Sequence, residues 1–194
     1  MTDAQLIHAA RSGDDDAFKE LIHRYEPRVA AAVIGMLGPG PEAEDTGQEV
    51  FIRFYKAMHR FRGDSSLATY LTRIAINLSL NALKRRKRKR LLFRDNPPED
   101  HPGLRAPEPG DLDAPDREIV QKALRLLNPP FRSVIVLRLM EGYSTRQTAE
   151  ILNIPEGTVL SRLARAQKKL KDILTPYFGA SYGQEKSRTA AQVV

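Results

Sequence analysis

Apolar residues recur every three or four positions through most of the first 93 residues, a spacing typical of amphipathic helices. Thr2 and Gln5 have the spacing of a capping box ahead of a short first helix. Three aspartates at 14–16 can cap a second helix and interact favourably with its N-terminal dipole. Pro27 should kink or divide that second helix, because proline has no backbone N–H to donate.

Two longer helices are predicted after the Gly-Pro-Gly-Pro turn at 38–41. The first of them runs from Glu42 to about Arg60, with acids in its first turn and apolar residues at helical spacing. The second follows a break at 63–66 and ends in an unbroken basic run, Lys84 to Arg90. Together with the first two helices, they predict a small helical bundle.

The composition changes between residues 94 and 116, where six prolines and seven acids occur with few large apolar groups. Such a segment cannot offset its ordering entropy by burial, so an extended, flexible linker is predicted. Helical spacing returns over 117–178 and is lost in the tail, 179–194, which is expected to fray. The chain is therefore predicted to be all-α, with two small helical domains, 1–93 and 117–178, joined by the linker.

Residues 142–159 carry the most specific pattern of the second domain. Ser144 begins a short helix, Gln147 completes its capping box, and Asn153 can adopt the left-handed conformation that ends it. Pro155 then starts a longer helix with an inward apolar stripe. A short helix, a tight turn and a longer helix predict a helix-turn-helix motif.

The outward side of the longer helix is expected to carry hydroxyl groups and cations, at Thr158, Ser161, Arg162, Arg165, Lys168 and Lys169. Such groups can reach base edges and phosphates in a major groove. The alternative is an ordinary helical hairpin with a solvated basic face. Agreement between the cap, the turn, the apolar stripe and the basic side favours DNA binding.

Charge and composition favour some classes of partner and exclude some kinds of site. The net charge of +7 suits a polyanionic partner, although a soluble basic protein would have the same composition. The absence of cysteine excludes disulfides and cysteine-ligated metals, and the four histidines stand at spacings unlike those of metal ligands. No catalytic residue, cofactor or metal site is predicted. Without a membrane-spanning apolar run or a signal peptide, the protein is expected to act in the cytoplasm.

The basic run is weak evidence by itself, since a solvated helix end, a polyanion patch or a nuclear localisation signal has the same composition. Its helix, however, is expected to expose polar groups ahead of the run, at Thr72, Arg73, Asn77 and Asn81. The loop before the helix adds Phe61 and Arg62 to Gly-Asp-Ser-Ser. An aromatic ring, small polar groups and a cationic track suit single-stranded nucleic acid.

Three segments of the first domain resemble region 2 of extracytoplasmic-function (ECF, group IV) sigma factors of the sigma-70 family: Asp45–Phe51, Phe61–Ser66 and Thr69–Asn77. Three segments of the second domain resemble region 4 of the same factors: Leu126–Arg132, Leu137–Gly142 and Gly157–Leu163. Both sets occur in the order found in the family, with a linker between them. The resemblance implies an alternative sigma factor that binds core RNA polymerase and directs promoter-specific transcription initiation.

The resemblance also implies roles for individual residues. The dock on the clamp helices of the largest polymerase subunit would be formed by Asp45, Gln48, Glu49, Ile52 and Arg53. A base flipped from the −10 element would be held by Phe61, Arg62, Gly63, Asp64, Ser65, Ser66 and Asn77, with Lys84 and Arg85 on nearby phosphates. The −35 duplex would be read by Thr158, Ser161, Arg162 and Arg165, with Lys168 and Lys169 on phosphates. Polymerase would do the chemistry, and a cognate anti-sigma factor is expected as a partner.

Three positions depart from the pattern of the family. Gly47 stands where an aliphatic residue is usual, which weakens its helix by about 1 kcal/mol relative to alanine. Tyr70 replaces a common tryptophan, and Leu160 stands where arginine or lysine is frequent. The usual −35 sequence therefore cannot be assumed for this chain.

Two other classes of protein would share parts of this pattern. A two-component output protein would explain the helix-turn-helix, but its receiver would need a parallel α/β domain, and the first domain lacks alternating strands. An enzyme would need a nucleophile, a metal site or a phosphate loop, and none is apparent in the sequence. The acids at 14–16 and 42–45 fall at predicted helix starts, where capping explains them.

Overall fold

The computed structural model describes residues 1–92 and 116–191, with side chains described as far as Phe178, Arg117 excepted. Helices are the only regular elements in these ranges, which confirms the all-α prediction. The first range contains α1 (Asp3–Arg11), α2 (Asp15–Leu37), α3 (Pro41–Ala57), a 3-10 turn (Met58–Arg60) and α4 (Leu67–Leu92). The second contains α5 (Asp116–Leu126), α6 (Pro129–Ile135), a π-helical turn (Val136–Met140), α7 (Thr145–Leu152) and α8 (Glu156–Ala191).

The boundaries of the predicted domains fall largely outside the described residues. Phe93, the last residue of the first predicted domain, and the predicted linker from 94 to 115 are not among them. Asp116, assigned to the linker, is instead the first residue of α5. An acidic side chain in the first turn of a helix interacts favourably with the helix dipole, which explains why α5 begins there.

Local capping sets the helix starts in the first domain. The Thr2 side chain accepts a hydrogen bond from the Gln5 N–H at 3.3 Å, and the Gln5 side chain accepts one from the Thr2 N–H at 2.8 Å. The Asp14 carboxylate accepts hydrogen bonds from the Asp16 and Ala17 amides at 3.0 Å each. The four helices bury one continuous apolar core, in which Leu21, Phe54 and Leu71 are almost wholly buried. The predicted bundle is therefore confirmed.

Pro27 lies inside α2, which continues unbroken to Leu37, so proline does not divide this helix, and the other predicted outcome, a kink, stays a prediction. Proline removes the hydrogen bond that its N–H would donate to the carbonyl of His23. Both Pro27 and His23 are exposed, and water can therefore solvate the carbonyl that lost its donor.

The second domain contains the predicted helix-turn-helix. The Ser144 hydroxyl accepts from the Gln147 N–H at 3.1 Å, and the Gln147 side chain accepts from the Ser144 N–H at 2.9 Å, so the capping box that begins α7 is confirmed. Asn153 ends α7 in the left-handed conformation, with φ 52° and ψ 52°, as predicted. Val159 of α8 is fully buried against α7, which fixes the inward side of the longer helix.

The backbone of α8 stays helical through Pro176 and on to Ala191, whereas the sequence predicts a frayed tail from Gly179. The residues after Gly179 lack apolar periodicity, but several are alanine, glutamine, glutamate, lysine or arginine, which favour helix intrinsically. Apolar periodicity predicts burial rather than helicity, so a helix without it is not recognisable from the pattern.

The two domains pack against each other in an interface that the sequence did not predict. Val136, Leu137, Tyr143 and Ile151 of the second domain belong to the same buried cluster as the core of the first. Gly35 of α2 permits the close approach, because a Cβ there would lie 2.9 Å from Cγ2 of Val136. We call the contact of α2 and α4 with the second domain the interdomain interface.

Polar groups complete the interdomain interface. The hydroxyls of Thr72 and Tyr143 are 2.8 Å apart, and Thr72 is fully buried. The Arg28 guanidinium lies over the Tyr143 ring, 5.8 Å from its centroid, and 3.9 Å from the Glu141 carboxylate. Burial raises the pKa of the Glu141 carboxyl, an effect that the charge of Arg28 opposes.

Arg132 is a buried cation of the interdomain interface that bonds to backbone carbonyls. Its guanidinium donates hydrogen bonds to Met36 in the last turn of α2, to Arg125, and to Leu127 at 3.0 Å. Burial lowers the pKa of Arg132 to about 10, and repulsion from Arg125 and Arg86 acts in the same direction. The side chain therefore remains charged at neutral pH and joins the ends of helices from both domains.

Candidate nucleic-acid and partner interfaces

Helix α3 presents all five predicted docking residues on its accessible side. It buries Val50, Phe51 and Phe54 against the bundle. The opposite side carries Asp45, Gln48, Ile52 and Arg53, which are exposed, and Glu49, which is half-exposed. The Glu49 carboxylate accepts a hydrogen bond from Arg53 Nε at 2.8 Å, one helical turn away. The set therefore forms a continuous, mixed-charge surface with Ile52 as an exposed apolar residue.

A groove of about 800 Å³ between α2 and α3 adjoins these residues. Its apolar lining includes Phe18 and Ile22 of α2 and Phe51 of α3, and two docking residues, Gln48 and Ile52, also line it. The sequence did not predict this groove, since it exists only where the consecutive helices α2 and α3 pack side by side. Two exposed apolar residues of α3, Ile52 and Tyr55, line it.

The loop before α4 is held at both ends and exposed in its middle. The Phe61 ring packs against Tyr70, 5.0 Å between centroids, and is half-buried rather than free to stack on a base. The Phe61 carbonyl accepts a hydrogen bond from Arg11. At the other end, the Ser66 hydroxyl accepts from the Thr69 N–H at 3.2 Å and thereby caps α4.

The middle of this loop offers exposed groups of both charges together with backbone freedom. Arg62, Gly63 and Asp64 are exposed, and Gly63 has a φ of +80°, a conformation that glycine adopts without strain. Ser65 is half-buried. The accessible polar part of the predicted pocket is therefore centred on Arg62 to Asp64.

Helix α4 exposes only part of the polar set predicted for it. Asn77 and Asn81 are exposed, whereas Thr72 is buried under Tyr143 and Arg73 is half-buried. The expectation of an exposed Thr72 is wrong, because the second domain covers that position. Asn77 forms no side-chain hydrogen bond with the described residues, and it lies about 15 Å along the helix from Leu67. The structure therefore does not bring Asn77 into contact with the loop.

The basic end of α4 is solvent-exposed from Lys84 to Arg90. Arg85 lies 3.5 Å from the Glu42 carboxylate at the start of α3, and Arg86 pairs with the same carboxylate. These ion pairs tie the beginning of the basic run to the bundle. Lys84, which precedes these two arginines, is exposed.

The outward face of α8 exposes four of the six residues predicted for it, Ser161, Arg165, Lys168 and Lys169. Its exposed centre contains small residues and a cation, namely Gly157, Ser161, Ala164 and Lys168. Arg165 is exposed beside this centre, while Thr158 and Arg162 are half-buried at one edge. Lys169 lies over the Phe131 ring at 5.2 Å.

Leu160 lies at the other edge of this face and is 54% exposed. In the sequence, Leu160 stood out only as a departure from the family pattern. Its exposure follows from how α8 packs on α7. Ser161 donates a hydrogen bond to the Thr158 carbonyl at 3.1 Å. Cations, a hydroxyl and one large apolar side chain thus share the first two turns of α8.

Metal and membrane sites are not suggested by the described chain. Within 1–92 and 116–191, no cluster of three histidine or acidic side chains is arranged to hold a metal ion. None of the helices in the same ranges combines the length and apolar character needed to cross a membrane.

Both domains of the chain match models of known protein families. The model of Sigma-70 region 2 matches residues 21–89, and the model of Sigma-70, region 4 matches residues 117–170. The chain belongs to the sigma-70 family of RNA polymerase sigma factors. The first match covers α3, the loop and most of α4, and the second covers α7 and the first turns of α8.

Curated relatives place this sigma factor in the ECF group. The chain is 33% identical over 189 residues to the RNA polymerase sigma-H factor of Pseudomonas aeruginosa, covering 90% of this chain and 94% of that protein. It is 33% identical over 190 residues to the ECF RNA polymerase sigma-E factor of Escherichia coli (strain K12), covering 91% and 96%. As a sigma factor, the protein acts with RNA polymerase in promoter-directed transcription initiation.

Two solved structures are similar to this sigma factor in fold. The sigma factor RpoE in complex with the anti-sigma factor NepR from Bartonella quintana matches with a TM-score of 0.66 and 25% identity, covering 81% of this chain and 96% of that one. CnrH in complex with the cytosolic domain of CnrY matches with a TM-score of 0.64 and 25% identity, covering 89% and 96%. Both similarities extend across the two domains.

Proposed function

We propose that this sigma factor divides promoter recognition among three helices. Helix α3 docks on core RNA polymerase, α4 with the loop at 61–66 opens the −10 element, and α8 reads the −35 element as duplex. The observation that carries the proposal is that α3, the loop centre with α4, and α8 each expose residues of one predicted set, at separate places outside the interdomain interface. Three separate surfaces allow one chain to hold polymerase and two promoter elements together.

The chemistry of α3 supports its role as the dock. Carboxylates, a guanidinium and an exposed isoleucine on one helix offer both charge complementarity and apolar contact area to a protein partner. The adjoining groove extends this surface onto α2. The dock is therefore proposed to be Asp45, Gln48, Glu49, Ile52 and Arg53, with polymerase as the partner.

The −10 assignment rests on Asn77 and the exposed loop. An unpaired amide can both donate to and accept from a base edge, and the loop centre exposes Arg62, Gly63 and Asp64 to an extruded base. Lys84 and Arg85 follow on the same helix, where they can neutralise phosphates. Because the Phe61 ring is packed on Tyr70, its proposed role is to position the loop rather than to stack on the base.

The −35 assignment rests on the geometry of α7 and α8. In a helix-turn-helix, the N-terminal residues of the second helix contact base edges in the major groove. Ser161 and Arg165 are exposed on that part of α8, and Lys168 follows one turn later at a position suited to phosphates. Thr158 and Arg162 reach the groove from the edge of the same face.

The proposed partners are core RNA polymerase, promoter DNA and a cognate anti-sigma factor. The last is supported by the similar sigma factor RpoE, which was solved in complex with the anti-sigma factor NepR. The protein would work in the cytoplasm and associate with the nucleoid when active. It would do no chemistry itself, since polymerase supplies the reaction.

The proposal is tested by promoter selection with reconstituted holoenzyme. Core polymerase and the full chain should enrich two sequence elements at a fixed spacing from a randomised duplex library. Arg165→Ala should relax the upstream element alone, and Asn77→Ala should affect the downstream element alone. Failure of the holoenzyme to enrich any sequence, or an exchange of these two effects, would contradict the proposal.

A further inference from the structure

Leu160 is an uncovered apolar side chain in the part of α8 that meets DNA. Over the described side chains of α8, it is the only large apolar residue that is exposed, at 54%. The residues before and after it are positioned differently: Val159 is fully buried and Ser161 is exposed. Leu160 therefore does not belong to the apolar stripe of the domain and contributes little to its core.

Its helical neighbours leave Leu160 prominent on the surface. Gly157, three residues before it, and Ala164, four residues after it, are small and exposed. A Cβ on Gly157 would find no atom within 4 Å, so the space on this side of the helix is open. Because these neighbours are small, the helix backbone can come close to the floor of a groove. The Leu160 side chain would then be the first group on this side to contact the bases.

The cations of α8 can bring the Leu160 edge of the helix to DNA, and they lie away from the base that would face Leu160. Arg165 and Lys168 are exposed further along the helix, where they can bind phosphates or a neighbouring base. No cation occupies position 160 itself. A leucine cannot satisfy a hydrogen-bonding base edge, and burying an unpaired donor or acceptor is unfavourable.

The major groove presents one apolar group among the four standard bases, the C5-methyl of thymine. We infer that Leu160 is a specificity-determining residue that selects thymine at one position of the −35 element by contact with this methyl group. The inference rests on the proposed role of α8 as the −35 reader. It goes beyond that role, because it assigns a base preference to a residue outside the predicted contact set.

The test replaces thymine by deoxyuridine, which lacks only the methyl group. The −35 element is first selected with the wild-type holoenzyme, and each of its thymines is then replaced singly in otherwise identical duplexes. At one position, replacement should weaken holoenzyme binding about fourfold, the effect expected for burying one methyl group. With Leu160→Ala, binding to the thymine duplex should fall, and the thymine and deoxyuridine duplexes should bind equally.

Leu139 provides a matched control. It is 53% exposed and lies on the π-helical turn rather than on α8. Leu139→Ala should therefore preserve the fourfold ratio between thymine and deoxyuridine duplexes. A change in this ratio for Leu139→Ala would show that the ratio does not report on Leu160 and would overturn the inference.

The failure of this inference differs from the failure of the proposed function. If Arg165→Ala weakens −35 binding while Leu160→Ala leaves the fourfold ratio unchanged, only the thymine contact is overturned. The same holds if no thymine position responds to deoxyuridine. If neither Arg165→Ala nor Lys168→Ala affects −35 binding, the role of α8 as reader is overturned, and the Leu160 contact with it.

Discussion

The hydroxyl oxygens of Tyr143 and Thr72 lie 2.8 Å apart inside the interdomain interface, although 71 residues separate them along the chain. The Tyr143 hydroxyl also lies 3.4 Å from the Ala68 carbonyl. A pair of buried hydroxyls satisfies both groups without charge. The hydrogen bond therefore ties α4, the proposed −10 helix, to the start of the helix-turn-helix.

Replacing either hydroxyl should lower the free energy of unfolding by about 0.5–1.5 kcal/mol, because its partner loses a buried hydrogen bond. The double variant Thr72→Val/Tyr143→Phe should lose less than the sum of the two single variants, by at least about 0.5 kcal/mol. Urea denaturation measures all four proteins. Tyr70→Phe combined with Thr72→Val serves as the control and should be additive. Additivity for the Tyr143 pair as well would contradict a direct interaction.

Two of the helical glycines, Gly35 and Gly47, should respond to alanine in opposite directions. Gly35→Ala places a Cβ 2.9 Å from the fully buried Val136 side chain and should cost about 1–3 kcal/mol. At Gly47 no atom lies within 4 Å of the added Cβ, so alanine should stabilise α3 by about 0.5–1 kcal/mol. Thermal melting distinguishes the two variants. A stabilised Gly35→Ala protein would show that the interdomain interface is not closely packed there.

Glu141 gives the interdomain interface a measurable pH dependence. Burial raises the pKa of its carboxyl above the ordinary 4.5, so folding disfavours the ionised form. The contribution of this group to stability is therefore fully present below about pH 4.5 and is lost as the pH rises through the raised value. Glutamine resembles the protonated form, and Glu141→Gln should melt at a higher temperature than wild type at neutral pH.

The difference between Glu141→Gln and wild type should shrink as the pH falls towards about 4, where the native carboxyl also binds a proton. Thermal melting of both proteins in the same buffers across this range provides the measurement. A lower melting temperature for Glu141→Gln at neutral pH would mean that attraction to Arg28 outweighs burial.

Charge reversal at Glu49 tests the proposed dock on α3. Glu49→Lys removes the ion pair with Arg53 and places two cations one turn apart on that surface. We expect affinity for core polymerase to fall at least about tenfold, since like charges across an interface are strongly unfavourable. Glu20→Lys is the matched control, because Glu20 forms the same type of pair with Arg24 on α2. Equal affinities for Glu49→Lys and Glu20→Lys in titrations would remove Glu49 from the dock.

Loss of the Asn77 amide should impair promoter melting. Extruding a base costs a few kcal/mol of stacking and pairing, which contacts in the pocket must return. Asn77→Ala should therefore reduce open-complex formation on duplex promoters, and a pre-opened −10 bubble should restore part of it. Permanganate footprinting on both templates measures opening, with thermal melting as the folding control. Normal opening of duplex promoters by a folded Asn77→Ala protein would leave Asn77 without this role.

Local features of the fold were predictable because neighbouring residues determine them. The Ser144–Gln147 capping box and the left-handed Asn153 both follow from side chains within a few residues. Of the kink or division expected at Pro27, the division did not occur, and that outcome depends on whether water reaches the carbonyl of His23. That property is set by the tertiary structure and not by the local sequence.

The candidate sites were predictable to different degrees for the same reason. The docking residues on α3 could be named from one helix, because a single apolar stripe fixes which side faces outward. The burial of Thr72 could not be predicted, because the residue that packs over it, Tyr143, belongs to the other domain. On α8, the predicted face was correct for Arg165 but missed Leu160, whose exposure depends on how α8 rotates against α7.

The contact between the two domains, which includes the buried Arg132, and the contact with DNA should respond differently to ionic strength. The Arg132 guanidinium is bonded to carbonyls of Met36, Arg125 and Leu127 away from solvent, where mobile ions screen weakly. The exposed cations of α4 and α8 would instead lose affinity for phosphates steeply as salt is added. Salt should therefore release the protein from DNA long before it separates the two domains.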